Sequence, residues 1–167
     1  SEFNLPERHA KEVCRELIRR GLGGRMRWYA YCTPAPFSKE LAGLMHEAGC
    51  VGINFGADNG NARMLKRLGR GFCPKDIENC VAYCQAIGIA TMLDLLLGSP
   101  GETDDSILET LELMKRAEPD RVGVALGIRV YQGTRLAASL SKSGEVDQTA
   151  DATIPVFYTD PAVTDTA

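Results

Sequence analysis

The chain has 167 residues with a formal net charge of −3, 44% hydrophobic residues and 25% charged residues. This length fits one domain, and the composition is ordinary for a globular protein. The slightly acidic balance lacks the basic footprint of nucleic-acid binding, so we expect no nucleic-acid partner. Its apolar runs are too short to cross a bilayer, and no basic segment followed by an apolar one opens the sequence. We therefore expect a cytoplasmic protein without a membrane partner.

Six cysteines could form disulfides, but most of them fall on apolar faces of the predicted elements. In a chain long enough to bury a core without cross-links, this pattern favours reduced, buried thiols. Cys80 and Cys84 stand one helical turn apart, but no third cysteine completes a compact cluster motif. We therefore predict no metal ligands in this sequence. The six cysteines are Cys14, Cys32, Cys50, Cys73, Cys80 and Cys84.

Apolar patterns of period 3.6 alternate along the chain with short apolar or aromatic runs, and glycine or proline separates them. The loop at 57–60 is polar, which predicts that the strand before it ends at Gly56. In chain order we predict a helix at 6–21, a strand at 26–32, a helix at 38–49, a strand at 50–56, a short helix at 62–68, a helix at 74–88, a strand at 89–97, a helix at 103–119 and a strand at 122–130.

The last of these helices begins at a choice of two N-caps, Thr103 or Ser106, with Asp104 and Asp105 well placed in its first turn. Pro119 ends it. Its apolar residues predict the face that packs on the sheet. That face consists of Ile107, Leu108, Leu111 and Met114.

A helix followed by three strand–helix pairs and a final strand predicts the α/β class, with parallel strands and right-handed crossovers. Four strands are too few for a complete barrel of eight, so they form either a small open sheet or an arc of a larger barrel. We place this domain at residues 1–140. Residues 141–167 read as a polar, partly disordered extension in which only 154–158 is apolar enough to need a partner surface.

One carboxylate, Asp94, interrupts the buried strand at 89–97 and is the first candidate for a site, because a buried carboxylate must be paired or face a polar cavity. Ligands of parallel α/β folds bind beyond the carboxyl ends of the strands. Polar side chains and glycines at those ends therefore predict a pocket. They are Tyr31, Cys32, Thr33, Asn54, Gly56, Asp58, Gly98, Ser99, Arg129 and Tyr131.

Each candidate also has a purely structural interpretation. Asp94 can form an internal ion pair, and Asn54 can satisfy loop backbone. Arg70 can be a solvated cation. The glycines at 98 and 101 can be required by a sharp strand-to-helix turn alone. These alternatives stay open at this point.

The sequence Leu-Asp-Leu-Leu-Leu-Gly-Ser-Pro-Gly-Glu-Thr at 93–103 resembles the fifth strand and following turn of radical S-adenosylmethionine enzymes. Other segments resemble the same family in consistent order over roughly residues 1–140. The likeness is closest to the subgroup with an upstream cobalamin-binding domain, often named Fe–S oxidoreductases. The matching segments are 1–4 (second strand), 52–56 with 64–70 (fourth strand and loop) and 127–134 (sixth strand, with Gln132 in place of a frequent proline).

The resemblance implies a partial (βα) barrel, with this chain holding roughly strands 3 to 6 of a six-stranded TIM-like arrangement. That family holds a [4Fe–4S] cluster with Cys-x-x-x-Cys-x-x-Cys after its first strand, and this spacing is absent from the sequence. We therefore expect a fragment that keeps part of the S-adenosylmethionine pocket, with the cluster, and in some members cobalamin, belonging to the parent protein only.

Carried over by position, the resemblance implies a set of residues near bound S-adenosylmethionine, with Gly98 letting the backbone approach the adenine. A ligand with a sulfonium, an ammonium and a carboxylate calls for both carboxylates and arginines. The set is Asn4, Tyr31, Asp58, Arg70, Asp94, Gly98 and Arg129. No catalytic residue is assigned.

Two functions follow. The first is the carboxyl-terminal part of a radical S-adenosylmethionine oxidoreductase or methyltransferase, which acts on an unidentified small molecule and is inactive by itself. The second is a small open α/β binding or interaction module without radical chemistry. A Cys-x-x-x-Cys-x-x-Cys encoded upstream of Ser1 would decide for the first, and a nearby start codon for the second. Either way, bare sheet edges predict self-association.

Anaerobic reconstitution of this chain with iron and sulfide should yield no stoichiometric [4Fe–4S] cluster, because its cysteines lack the family's ligand spacing. Iron and sulfide analysis together with the visible absorption spectrum provides the measurement. A stable [4Fe–4S] spectrum would contradict the expectation of inertness.

Overall fold

In a computed structural model, which describes residues 2–142, 154 and 156–164, the chain forms a four-stranded parallel sheet in the order β1-β2-β3-β4 and a separate two-stranded antiparallel sheet. The strands are β1 Trp28–Cys32, β2 Cys50–Asp58, β3 Ala90–Leu97, β4 Arg121–Leu126, β5 Ile128–Val130 and β6 Val156–Tyr158. The helices are α1 Glu7–Arg19, α2 Lys39–Glu47, α3 Ala62–Arg67, α4 Pro74–Gln85, α5 Asp104–Ala117, α6 Arg135–Lys142 and α7 Pro161–Thr164.

The α/β class, the parallel pairing and the element order through β4 are confirmed. Local capping agrees with the sequence as well: Ser38 accepts a hydrogen bond from the Leu41 amide, and Thr103 accepts one from the Ser106 amide. Thr103 is therefore the N-cap of α5, which settles the choice between the two candidates.

One face of the sheet is covered by helices. Alternate residues of β1, β2 and β3 point into a single core with α1, α2, α4 and α5, as the period of two requires. Phe55 on β2 and Leu93 on β3 are fully buried there, and the Phe55 ring meets the Phe37 ring edge-on at 5.0 Å between centroids. The opposite face, which we call the inner face, carries Tyr29 and Tyr31, 77% and 61% exposed.

The strand predicted at 122–130 is in fact two strands. Gly127 has φ +81° and breaks it, so that β4 stays in the parallel sheet while β5 pairs antiparallel with β6. A Cβ atom at position 127 would lie 2.6 Å from Thr159 Oγ1, which explains why glycine stands at the break. The apolar segment expected to need a partner surface contains β6 and has β5 as its partner.

The second strand is longer than predicted. It runs through Ala57 to Asp58, and a register shift against β3 between Gly56 and Asp58 absorbs the extra residue. The polar loop therefore begins at Asn59 rather than at Ala57, which keeps the Asp58 carboxylate at the carboxyl end of the sheet.

The predicted packing face of α5 is right for Met114, which is buried, but wrong for Leu108 and Leu111, which are 57% and 42% exposed. Ser106 and Thr110 are buried instead, because their hydroxyls have partners: Ser106 Oγ donates to Thr103 O at 2.8 Å, and Thr110 Oγ1 bonds to the Asn59 side chain. The face that packs on the sheet consists of Ser106, Thr110, Leu113, Met114 and Ala117.

The two ends of the parallel sheet are β1 and β4. The edge of β1 is partly covered, since Phe3 N donates to Tyr31 O at 2.7 Å. On β4, Val124 and Leu126 are 58% and 62% exposed. Self-association through these edges stays a prediction, and β4 is the barer of the two. Within the described part of the chain, no helix is long and apolar enough to cross a membrane.

The domain boundary near residue 140 and the polar extension also stay predictions. Of the extension predicted at 141–167, residues 143–153, 155 and 165–167 lie outside the described residues.

Replacing Leu113 by alanine should lower the free energy of unfolding by about 2–5 kcal/mol, because the side chain is fully buried. The matched change Leu108→Ala on the same helix should cost less than about 1 kcal/mol, because Leu108 is exposed. Urea unfolding followed by circular dichroism measures both. Equal losses, or a larger loss for Leu108→Ala, would restore the predicted face.

Candidate functional site

The inner face carries a hydrogen-bonded pair of polar side chains on neighbouring strands. Asn54 on β2 donates through Nδ2 to Oδ2 of Asp94 on β3 at 2.8 Å. Asp94 stands in register between Gly56 on β2 and Gly123 on β4. A Cβ atom at position 123 would collide with Asp94 Oδ1, so this glycine makes room for the carboxylate. The partner of Asp94 in the described structure is thus an amide on the same face.

The other side-chain atom of that amide has no protein partner. Asn54 Oδ1 is buried and lacks a hydrogen-bond donor within the described structure. Since the carboxylate of Asp94 requires the NH₂ group on its side, the oxygen must point elsewhere. A buried acceptor without a donor costs free energy unless a water or a ligand supplies one. Beside it, a Cβ at Gly56 would meet no atom within 4 Å, so the surface there is open.

An ion pair lies at the carboxyl end of β2. Asp58 ends the strand with φ +57°, and its Oδ2 accepts a hydrogen bond from Arg70 Nε in the loop after α3. Burial is the main reason that the pKa of Asp58 is raised above its ordinary value, and the negative charges of Glu2 and Asp94 raise it further. Arg70 opposes this shift but does not cancel it. Its side chain is 37% exposed, so solvent screens its charge.

The Gly-Ser-Pro-Gly turn after β3 is closed by the chain itself. Gly98 has φ +82° and Gly101 has φ +76°, conformations that side chains disfavour. A Cβ at position 98 would lie 2.7 Å from Thr159 Cγ2, and Gly101 N donates to Asp160 Oδ2 at 2.6 Å. Turn geometry and packing against residues 159–160 therefore suffice to explain both glycines. This agrees with the purely structural interpretation made from the sequence.

Three of the residues assigned by resemblance occupy different settings. Asn4 is buried, with Nδ2 donating to Thr33 O at 2.9 Å and to Pro36 O at 2.7 Å, so it holds the loop after β1. Tyr31 stands on the inner face in register with Asn54. Arg129 lies on β5, outside the parallel sheet, with its guanidinium 5.6 Å from the centroid of the Phe157 ring.

The structure thus brings Tyr31, Asp58, Arg70 and Asp94 to one side of the sheet, together with Asn54, which was recognised at a strand end but not assigned to the cofactor. It does not bring Asn4 or Arg129 into hydrogen-bonding contact with them. Two buried residues beside the site, Asn59 and Glu102, received no role from the sequence. A signal for them in the sequence was the carboxylate at position 102, to which neither the predicted turn nor the predicted helix assigns a role.

The cysteines take no part in this site. Five of the six are buried, as predicted, and all six are free thiols. Burial raises the pKa of Cys14 and of Cys50 to about 11 and that of Cys84 to about 12, so these thiols are protonated and pack as apolar groups. Over the described residues, no three His, Cys, Asp or Glu side chains are grouped to hold a metal ion.

Replacing Arg70 by methionine should raise the pKa of Asp58 further, because the opposing hydrogen bond and charge are lost while burial remains. A carboxyl ¹³C NMR titration measures it, with Arg63→Met on α3 as the control. A raised folded-state pKa contributes stability that is present below the unfolded value of about 3.9 and is lost as pH rises through the folded value. Asp58→Asn should abolish this pH dependence, whereas an unchanged pKa in Arg70→Met would refute the ion pair.

Comparison with known proteins identifies the family of this chain. Residues 2–114 match the family described as the radical SAM superfamily, where SAM is S-adenosylmethionine. The chain is 35% identical over 154 residues to tryptophan 2-C-methyltransferase of Streptomyces laurentii, covering 85% of this chain and 26% of that protein. An uncharacterized methyltransferase of Pyrococcus horikoshii is 25% identical over 134 residues, and the match covers 80% of this chain and 28% of that protein.

Among solved structures, the radical SAM methyltransferase TsrM of Kitasatospora setae, with tryptophan substrate and the analogue aza-SAM bound, superposes with a TM-score of 0.84 at 27% identity. The match covers 98% of this chain and 39% of TsrM. The cobalamin-dependent enzyme OxsB shares the fold alone, with a TM-score of 0.67 at 15% identity. The chain thus spans about a quarter of the curated relatives' length. Its sheet is an arc of a radical SAM-type barrel. The chain belongs to the radical SAM superfamily.

Proposed function

We propose that this chain forms one wall of the S-adenosylmethionine pocket of a radical SAM methyltransferase. The single observation that carries the proposal is the pair of carboxylates, Asp58 and Asp94, on the inner face at the carboxyl half of the sheet. The raised pKa of Asp58 indicates that its carboxylate is poorly solvated there and is repelled by the charge of Asp94. A bound cation would relieve both effects.

The residues present fit the cofactor. S-adenosylmethionine carries a sulfonium and an ammonium, for which Asp58 and Asp94 are suitable partners, and a carboxylate, which Arg70 can bind. The flat, exposed ring of Tyr31 and the bare backbone at Gly56 leave room on the same face.

Bound next to a reduced [4Fe–4S] cluster, S-adenosylmethionine supplies the reactive chemistry of this superfamily, and the protein orients it and excludes water. The residues of this chain hold the cofactor's charged groups. We assign the cluster ligands to polypeptide outside these 167 residues, because their spacing is absent here. The chain by itself is therefore expected to bind but not to react.

For the whole protein we also propose cobalamin as a cofactor and a small aromatic amino acid as the methyl acceptor. Support comes from the relatives. The 35% identical protein is a tryptophan methyltransferase, and TsrM has been solved with cobalamin and a [4Fe–4S] cluster bound. The exposed tyrosines Tyr29 and Tyr31 line an open cavity of about 690 Å³, but it lies toward the amino ends of β3 and β4, away from Asp58, so the proposed acceptor rests on the relatives alone.

A second candidate is an α/β interaction module without radical chemistry. The observation that favours it is the missing cluster motif among the six cysteines. It predicts no preference for a sulfonium ligand, which the following measurement decides.

Isothermal titration of the chain with S-adenosylmethionine and with S-adenosylhomocysteine, which lacks the sulfonium charge, should show tighter binding of the former. Asp94→Asn should weaken S-adenosylmethionine binding about tenfold, a loss of about 1.4 kcal/mol, and reduce that preference. Glu47→Gln, an exposed carboxylate on the far helical side, serves as the control. Absence of binding at millimolar concentration, or equal affinities for both compounds, would contradict the proposal.

A further inference from the structure

Three polar side chains next to the candidate site are almost completely buried. Asn59 and Thr110 are 0% exposed and Glu102 is 1% exposed. Burying such groups is unfavourable unless each one is hydrogen-bonded, and an ionised carboxylate is the most demanding of the three. Their partners therefore indicate what this arrangement holds in place.

The carboxylate of Glu102 joins two loops. Its Oε2 accepts hydrogen bonds from the backbone amides of Gly98 and Ser99, the latter at 3.2 Å, in the turn after β3. Its Oε1 accepts from Asn59 Nδ2 at 2.6 Å, in the loop after β2. Charge-assisted hydrogen bonds of this kind are shorter and stronger than neutral ones. One side chain thus connects the carboxyl ends of two neighbouring strands.

The orientation of the Asn59 amide is determined by its other contacts. Asn59 Oδ1 lies 3.0 Å from Thr110 Oγ1 and accepts from Asn61 N at 2.9 Å. Gly60 N donates to Thr110 Oγ1 at 2.9 Å, and a Cβ at Gly60 would lie 2.7 Å from the Thr110 Cα. The loop after β2 is therefore pressed onto α5, with both the oxygen and the nitrogen of the amide paired.

The residue immediately before Asn59 is Asp58, which bears the left-handed φ of +57°. Aspartate adopts this conformation more readily than most residues other than glycine, because its short polar side chain can hydrogen-bond locally. Asn59 N also donates to Ala57 O at 2.7 Å, which closes the turn around Asp58. On the far side of Glu102 stands Gly98, in the turn that ends β3.

We propose that Asn59 and Glu102 are positioning residues that hold the Asp58 carboxylate at a set place relative to the Gly98 turn. The part that concerns S-adenosylmethionine affinity rests on the proposed function. The geometric part, in which the Asn59–Glu102 contact maintains the conformation of Asp58, does not. Neither residue contacts the cofactor in this proposal.

A reciprocal exchange of the two side chains provides the test. In Glu102→Gln, one NH₂ group must face an N–H donor, because three donors meet a side chain with a single oxygen. In Asn59→Asp, two carboxylates face each other. In the double variant, which combines Asn59→Asp with Glu102→Gln, the glutamine amide donates to the new carboxylate at position 59, and its oxygen accepts from the amides of residues 98 and 99. Every hydrogen bond is then kept with one direction reversed.

Hydrogen exchange at the amides of Gly98 and Ser99 should accelerate at least about tenfold in each single variant and return toward the wild-type rate in the double variant. The pKa of Asp58, measured by carboxyl ¹³C NMR, should fall toward its ordinary value in Glu102→Gln, because an opened loop exposes the carboxylate. This readout is confined to variants that keep Asn59, since the new carboxylate of Asn59→Asp raises the pKa of the neighbouring Asp58 by its own charge. Affinity for S-adenosylmethionine should fall in the single variants and recover in the double variant. Glu109→Gln, an exposed carboxylate on the same helix that bonds to Asn61, is the matched control.

Should either single variant fail to fold, Thr110→Val and Thr110→Ser give a milder pair. Valine keeps the shape but removes the hydroxyl that bonds to Asn59, whereas serine keeps it. Valine should then reproduce the Asp58 shift and serine should not. A wild-type Asp58 pKa in the valine variant or in Glu102→Gln, or exchange of the Gly98 and Ser99 amides in the double variant that is as fast as in the faster single variant, would overturn the proposal.

Failure of the two proposals can be distinguished. If wild-type protein does not bind S-adenosylmethionine but the exchange rates and the Asp58 pKa follow the predicted order, the positioning role stands and the proposed function falls. If binding is lost in Glu102→Gln while both NMR readouts stay at their wild-type values, the positioning role falls.

Discussion

A buried carboxylate must find hydrogen-bond donors, and the way Glu102 meets that requirement shapes this protein. Its carboxylate oxygens accept hydrogen bonds from backbone amides in the turn after β3 and from the Asn59 side chain in the loop after β2. Asn59 is also bonded to Thr110 on α5, on the polar side of that helix, which faces inward. Leu108 and Leu111 on the same helix are exposed. One carboxylate thus joins two strand ends, and the Asn59–Thr110 contact joins them to α5.

The electrostatics of the inner face follow from the same arrangement. Because Asp58 is held at the end of β2, it is largely removed from water and lies in the field of Asp94. Arg70 reaches it from a solvent-exposed position, so its charge is screened and the desolvation of the carboxylate prevails. The result is a region that favours an added positive charge. A sulfonium cofactor meets that condition, and a neutral ligand does not.

The chain shares its fold with 39% of a longer methyltransferase. Its cysteines serve a different purpose from those of the family's cluster loop. They are buried among aliphatic and aromatic side chains, and burial raises the pKa of the Cys14 and Cys50 thiols to about 11. Protonated thiols are poor metal ligands. In the proposed function, the residues described here supply packing and charge, and the cluster is assigned to polypeptide outside them.

Sequence by itself determined the class, the parallel order, the cap at Ser38 and the family, since these depend on local periodicity and on short motifs. For α5 it left Thr103 and Ser106 as alternative caps, and the structure decided for Thr103. The sequence also identified Asp94 and Asp58 as candidate site residues. Tertiary structure alone decided that Gly127 splits the last strand, because the reason lies in Thr159, 32 residues away along the chain. It likewise decided the buried side of α5. Helical periodicity predicts that apolar side chains are buried and polar ones exposed. In the structure Thr110 and Glu102 are buried, because the folded loops supply hydrogen-bond partners that are distant in the sequence.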